Sequence, residues 1–363
     1  MPSELKGKII YVLNGNIYIA DKNGKNSKKL TAYPEVESMM SVQLISENLL
    51  GYFTCRYEED LFNCEISTLD INSTKTTNLK KTNDVNCIDQ VSFIDGNEYA
   101  YTRSEGPSKY VIYYVKDDQE EILKEWNEES YGRGIMLYDN SRLRFSPDGE
   151  NLLHMSTISR SGMDFNVYVL DLEGKLLDTI HNATFPVWKT NGEILYVAYD
   201  QAGMVDDDKR GVFVRDIETQ KSTKLQNAFP SAYVENSTVS YPFTGGYDLV
   251  YSENKLYCWG VFVEGLGFGH SYIYDFEKDE KELFDGGEVY PIPLSDNEVI
   301  FAKTESFGGG TDCSIPHSFS DLTSLKLVSY VYKYLETGKE TKINLPEEAF
   351  SRGVITELNH YID

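Results

Sequence analysis

The sequence predicts an all-β protein, a seven-bladed β-propeller built from four-stranded antiparallel blades. Three observations carry that reading. Residues 143–180, LRFSPDGENLLHMSTISRSGMDFNVYVLDLEGKLLDTI, alternate apolar and polar side chains in four short runs, and Pro-Asp-Gly and Leu-Glu-Gly cut the runs where a chain reverses between antiparallel strands. Degraded copies of the same rhythm fill the rest of the 363 residues. Aromatic residues reach 13%, with 27 Tyr and 17 Phe, and such rings suit a pleated, half-buried surface. The length does not demand two domains, because each repeat brings its own slice of core, so residues 1–363 read as one propeller domain.

The chain in order supports the count. KIIYVLN and IYIADKNGKNSKKLT supply two strands and a short last strand, so the first copy lacks its first strand. The second copy, residues 39–79, reads MSVQLIS, NLLGYFTCRY, LFNCEISTLD and TTNL; the third, 89–123, reads DQVSFI, EYAYTRS and KYVIYYV. Residues 143–180 are the fourth. The fifth, 185–225, is FPVWK, ILYVAYD, GVFVRDIETQK and STKL; the sixth, 247–284, is YDLVYS, LYCWGVFVE, SYIYDFEKDE and KELF. The seventh, 289–345, is VYPIPLS, VIFAKTE, LVSYVYKYLETGK and ETKINL. One strand-like run is left over in SRGVITELNHYID, and it is the strand the first copy lacks. Pairing residues 354–358 with residues 8–13 would leave no exposed sheet edge to template aggregation. Six blades is the runner-up, because residues 226–246 are hard to place in the pattern.

SPDG, the NVYVLDLEGK strand and the aromatic-Pro pairs resemble the TolB-type, WD40-like propeller repeats. Those pairs are Tyr33-Pro34, Phe185-Pro186, Phe229-Pro230, Tyr241-Pro242 and Tyr290-Pro291. The fourth copy matches the pattern closely and the others keep its rhythm; the WD dipeptide of true WD40 blades is absent, and GH occurs once, at Gly269-His270, without the WD that would follow it in such a blade. The resemblance implies the fold over most of the chain and little about function, since such repeats occur in binding proteins, in peptidase lid domains and in a few enzymes.

With 34 basic and 58 acidic residues the formal charge is −24, which repels phosphate backbones and anionic headgroups; nucleic acid and membrane are therefore excluded as partners, and a soluble monomer is expected. No run approaches the roughly 20 apolar residues of a membrane span and MPSELKGKII has no signal-peptide core. As the sequence stands it reads as cytoplasmic, and as periplasmic or extracellular if a leader has been removed. Cys55, Cys64, Cys87, Cys258 and Cys313 contain no CxxC. Cys55 and Cys64 lie symmetrically about the turn at Glu59 and Asp60, where they could face each other as a cross-strand disulfide; two reduced core cysteines is the preferred reading.

In a four-stranded blade the turns joining strands one to two and three to four leave from one end, while the two-to-three turns and the links between blades leave from the other. Asn14-Gly15-Asn16, Asp95-Gly96-Asn97, Pro147-Asp148-Gly149, Asn191-Gly192-Glu193, Glu253-Asn254-Lys255, Asn23-Gly24, Glu173-Gly174 and Thr337-Gly338 are assigned to the first set. The long insertions, residues 124–141, 156–165, 200–210, 226–246, 264–270 and 305–325, fall in the second. Long loops on a rigid scaffold are where binding residues concentrate, so function is expected at that end.

The expected ligand-binding residues are rigid aromatics and planar guanidinium groups on those insertions. Trp126, Tyr131 and Arg133 are placed in one link, with Arg160, Arg210, Phe268, His270 and Phe307 in the others. No GxSxG elbow is present, so a complete prolyl-oligopeptidase-like hydrolase is excluded and no catalytic residue is assigned. No cofactor and no metal are assigned either: GLGFGH and FGGGTD lack the Lys-Ser/Thr of a P-loop, and Asp206, Asp207 and Asp208 lack EF-hand spacing. His181, His270 and His317 fall on or near the long-loop end and could hold a divalent metal if they converge. The expectation is a non-catalytic binding or scaffold protein for a peptide, protein or saccharide. The alternative is a metal-dependent lyase or hydrolase working at the same end.

Overall fold

The computed structural model describes residues 7–33, 39–86, 88–105, 109–127, 143–157, 165–198, 211–225, 247–252, 254–260, 272–283, 288–295, 297–305, 326–345 and 358–362. Among them there is no helix, and 28 strands form seven four-stranded antiparallel sheets. The first sheet holds β1 (Lys8–Leu13), β2 (Asn16–Asp21) and β3 (Lys28–Lys29). The second is β4 (Met39–Ser46), β5 (Leu49–Glu58), β6 (Leu61–Asp70) and β7 (Lys75–Asp84); the third is β8 (Ile88–Phe93), β9 (Glu98–Ser104), β10 (Lys109–Lys116) and β11 (Gln119–Asn127). The fourth is β12 (Leu143–Phe145), β13 (Asn151–Thr157), β14 (Phe165–Asp171) and β15 (Leu176–His181); the fifth is β16 (Ala183–Trp188), β17 (Glu193–Ala198), β18 (Gly211–Asp216) and β19 (Lys221–Lys224). The sixth is β20 (Tyr247–Ser252), β21 (Lys255–Gly260), β22 (Tyr272–Asp275) and β23 (Glu280–Leu283); the seventh is β24 (Glu288–Ser295), β25 (Glu298–Glu305), β26 (Lys326–Tyr334) and β27 (Glu340–Ile343). The last strand, β28 (Leu358–Ile362), pairs with β1 and completes the first sheet in the order β28-β1-β2-β3. Every other sheet pairs its strands in chain order. This is the strand organisation of a seven-bladed β-propeller.

The closing strand sits four residues beyond its expected position. Lys8 lies opposite Ile362, Ile9 opposite Tyr361 and Ile10 opposite His360, where residues 354–358 were expected. A shift of four keeps every side chain on the same face of the strand, so alternation in VITELNHYID does not distinguish the two registers. Two outer strands also run past their expected ends: β7 continues to Asp84 and β11 to Asn127. Residues of β7 are exposed or half-buried throughout, and a solvated edge carries no apolar alternation to mark where it stops.

The residues form two compact units, one of Met1–Leu13, Ile17–Lys29 and Gln226–Asp363, the other of Asn14–Asn16 and Leu30–Leu225. In the second unit, Phe53, Cys55, Cys64 and Ile66 of the second sheet pack against Ile88, Tyr101, Val111 and Tyr113 of the third. Ala100, Ile112 and Tyr114 of the third pack against Leu143, Leu152 and Leu170 of the fourth, and Leu153, Val167 and Val169 of the fourth against Ile194 and Tyr196 of the fifth. In the first unit the sixth and seventh sheets share Tyr257, Ile273, Phe301 and Val331, and the seventh and first share Tyr11, Ala20, Ile300 and Tyr330. Strands buried on both faces explain why sequence runs such as YVIYYV are continuously apolar. Gly51 lets this stacking close up: a Cβ there would lie 2.5 Å from the ring of Phe93 on the next sheet.

The preferred reading of two reduced cysteines is overturned, since Cys55 and Cys64 form a disulfide. Glu59 and Asp60 both have positive φ, 51° and 65°, the geometry of a two-residue type I′ turn. Glu58 and Leu61 close that turn, and pairs outward from it alternate between hydrogen-bonded and non-hydrogen-bonded. The third pair out, Cys55 opposite Cys64, is of the close, non-hydrogen-bonded kind, with Cα atoms 4.1 Å apart.

Candidate functional site

Strand bounds sort the connections sharply. Turns between first and second strands, and between third and fourth, never exceed six residues. Gly24, Gly149, Gly174 and Gly338 take positive φ in four of them, and Asp117 and Asp118 make a type I′ turn in another. The connections of eleven residues or more all follow a second or a fourth strand. One assignment needs correcting: because β28 is the first strand of its sheet, β1 and β2 are second and third, so Asn14-Gly15 turns at the long-connection end. That turn and Glu59-Asp60 show that the end also carries tight hairpins.

Within the second unit, the long-connection ends of the third and fourth sheets bring together an aromatic cluster. Trp126 lies on β11 opposite Tyr110 of β10, rather than in the link that follows. It is half-buried, and its ring packs against Tyr110, His154 of β13 and Tyr168 of β14, with centroids 6.3, 5.6 and 5.4 Å away. His154 stacks on Tyr110 at 5.5 Å and an interplanar angle of 18°, and lies nearly parallel to Tyr168. The imidazole is 1% exposed and neither ring nitrogen has a hydrogen-bond partner. Burial pushes its pKa down to about 3, so His154 is neutral at ordinary pH.

Polar groups line the same seam. A register shift between Ile88 and Gln90 leaves Asp89 unpaired in a β-bulge, the device that re-aims a side chain out of the strand alternation. The Asp89 carboxyl accepts a hydrogen bond from the backbone amide of Ser104, but its Oδ2 is enclosed without a partner. Burial, opposed by that amide bond, pushes its pKa up to about 7. Gln90 Oε1 and Thr102 Oγ1, on directly opposed residues of β8 and β9, are likewise enclosed without partners. The amide of Phe145 on β12 donates to Ser92 Oγ at 3.4 Å, so two residues along each strand Gln90 comes level with Leu143, the cross-strand partner of His154.

Of the expected site residues, then, Trp126 is placed in a packed aromatic cluster at the long-connection end, with part of its ring surface open. Tyr131, Arg133, Arg160, Arg210, Phe268, His270 and Phe307 lie outside the described residues, as do His317 and Asp206, Asp207 and Asp208. His181 is described: it is exposed and its Nδ1 bonds Asn166 Oδ1 at 3.0 Å. Among the described residues no three His, Cys, Asp or Glu side chains gather as a metal cluster, and no helix is long and apolar enough to cross a membrane. Asp89, Gln90, Thr102 and His154 escaped the sequence reading. Asp and Gln standing next to each other in an otherwise alternating first strand were the available sign of a bulge.

No family model matches the chain, and no curated protein matches it. Solved structures are similar in fold. The β-propeller domain of the Trilobed protease from Pyrococcus furiosus is 13% identical, covers 88% of this chain and 98% of its own, and has a TM-score of 0.50. The tricorn protease is 12% identical with a TM-score of 0.56; 94% of this chain matches 33% of that one. TolB from Acinetobacter baumannii is 15% identical, covers 79% of this chain and 66% of its own, and has a TM-score of 0.44. This chain thus spans less than two thirds of TolB and one third of the tricorn protease. At these identities the likeness shows the fold alone, and the β-propeller expected from SPDG and its neighbours stands at that level. The Trilobed domain is described as having an open velcro topology, whereas here β28 completes the sheet of β1.

Proposed function

We propose that the protein is a non-catalytic binding or scaffold propeller, which engages a peptide, protein or saccharide at the ends of its sheets that carry the long connections. The observation supporting this is the sorting of connection lengths: short turns at one end of every sheet, and all connections of eleven residues or more at the other. Trp126 is the proposed anchor, and Tyr131, Arg133, Arg160, Arg210, Phe268, His270 and Phe307, which belong to the long connections by sequence, are the further ligand-binding residues of the proposal. The charge of −24 favours a basic or neutral ligand and a monomeric protein. The Cys55–Cys64 disulfide supports an oxidising compartment such as the periplasm or the cell exterior.

The test is a panel of basic and neutral peptides and oligosaccharides, read by calorimetry against single variants. Trp126→Ala, Tyr131→Ala and Phe268→Ala are expected to weaken the best binder at least about tenfold each, the usual cost of truncating an interface anchor. Glu218→Ala and Glu336→Ala, on exposed short turns, are expected to leave it unchanged. The opposite pattern overturns the proposal.

A further inference from the structure

We propose that the tip of the β5–β6 hairpin docks a basic peptide segment, with a lysine or arginine laid on the ring of Tyr57 and answered by Glu58, Glu59 and Asp60. Tyr57 is 61% exposed, yet its ring is held in place. It tilts against Phe62, its cross-strand partner, at a centroid distance of 5.0 Å, and its hydroxyl donates to Asp60 Oδ1 at 3.0 Å. Phe62 is paired on its other side with Asp84 of β7, and Val85, the next residue, is 69% exposed. Two of the five large hydrophobic side chains exposed among the described residues therefore stand at one end of the second sheet, the end that carries the long connections. The Cys55–Cys64 disulfide braces the hairpin two pairs inward on the same face as Tyr57 and Phe62. A rigid ring on a braced hairpin has little freedom left to lose on binding, which is what favours aromatic anchors.

Charge selects the occupant. Glu58, Glu59 and Asp60 are exposed, and among the described residues none of the three is in an ion pair. Other carboxylates of the second and third sheets are answered: Glu65 by Lys81, Asp84 by Arg103, Glu105 by Lys109 and Glu120 by Lys80. At the tip, Asn63 Nδ2 donates to Glu58 at 3.4 Å and the Tyr57 hydroxyl to Asp60, and both donors are neutral. Arg56, the one cation of the hairpin, lies on its opposite face with the guanidinium 5.4 Å from the ring of Tyr33. A cation over the Tyr57 ring gains from the negative face of the ring and from three carboxylates beside it, while an adjoining apolar side chain covers Phe62 and Val85. A second copy of this chain, at a net charge of −24, is repelled. A neutral saccharide could stack on the ring but leaves the carboxylates unused. The inference rests on the long-connection end being a binding surface; it adds the second sheet to that surface and gives the ligand its sign.

Calorimetric titration of the full chain with two capped five-residue peptides tests this, one alternating lysine with leucine and the other glutamine with leucine. The lysine peptide is expected to bind at one saturable site, at least about tenfold tighter than the glutamine peptide, and to weaken as salt is added. Tyr57→Ala, at an exposed position where truncation does not threaten folding, and Glu58→Gln/Glu59→Gln should each weaken it at least about fivefold. Tyr334→Ala, which removes an exposed tyrosine at the short-turn end, should leave it unchanged. Binding of the lysine peptide that survives either tip variant intact overturns the proposal, because the diffuse field of the acidic surface then accounts for it. Equal affinity for the two peptides, or no binding of either, overturns it too. Loss of binding in Trp126→Ala with none in Tyr57→Ala removes the tip while leaving the wider binding surface standing. Binding of a neutral oligosaccharide alone, lost in Tyr57→Ala, keeps that surface and refutes the basic peptide.

Discussion

Replacing His154 by Phe should uncouple part of the protein's stability from pH. In the native state the imidazole lies among Tyr110, Tyr168 and Trp126 with both nitrogens unpartnered, and its pKa falls from 6.5 to about 3. The unfolded chain therefore takes up a proton below pH 6.5 that the native chain refuses until about pH 3. Stability is complete above pH 6.5 and is lost as pH falls, at up to about 1.4 kcal/mol per unit. Between pH 7 and pH 5 this single group costs the wild type about 2 kcal/mol. A phenyl ring keeps the stack and has nothing to protonate. At pH 7 His154→Phe should be at least as stable as the wild type, because two enclosed nitrogens without partners are gone. At pH 5 its advantage should have widened by about 2 kcal/mol. Urea unfolding of both proteins at the two pH values measures this directly, since every other titrating group is common to both. If the difference between them at pH 5 stays within roughly 0.5 kcal/mol of that at pH 7, the imidazole is not held neutral and the packing described around it is wrong.

Further expectations concern the contacts between sheets. Non-reducing peptide mapping should recover Cys55 and Cys64 in one cross-linked peptide, and Cys55→Ala/Cys64→Ala should lower unfolding stability by about 2.5 kcal/mol through the freed loop; separate alkylated peptides from protein made under oxidising conditions would count against the bond. Gly51→Ala sets a methyl group against the Phe93 ring and should cost about 1–3 kcal/mol in urea unfolding, while Gly192→Ala, where nothing lies within 4 Å, should cost little. Arg215 donates from Nε and a terminal nitrogen to both oxygens of Asp178, at 2.7 and 2.8 Å, joining the fourth and fifth sheets. Asp178 is 5% exposed, so Asp178→Ala, which strands the guanidinium, should cost about 3 kcal/mol, and an unchanged midpoint would refute a stabilising role for the pair.

The sequence by itself determined the fold class, since alternation with period two and turns such as Pro-Asp-Gly and Asn-Gly are local chemistry that the backbone obeys wherever it lies. It carried the blade count and the leftover strand for the first sheet, and it placed Cys55 and Cys64 symmetrically about their turn. Counting hydrogen-bonded and non-hydrogen-bonded pairs out from Glu59-Asp60 would have favoured the disulfide. It did not determine the register of β28, because a slip of four residues leaves every face unchanged. Nor did it mark the ends of β7 and β11, whose polar outer residues have no periodicity to read, which is why Trp126 reads as a loop residue in the sequence and stands on a strand in the structure. Only the tertiary structure decided what shares the seam between the third and fourth sheets. Asp89, Gln90, Thr102 and His154 come from three strands of two sheets, and a bulge aims one of them. Their burial without partners depends on how two sheets stack, a relation between residues up to 65 positions apart that no local pattern encodes.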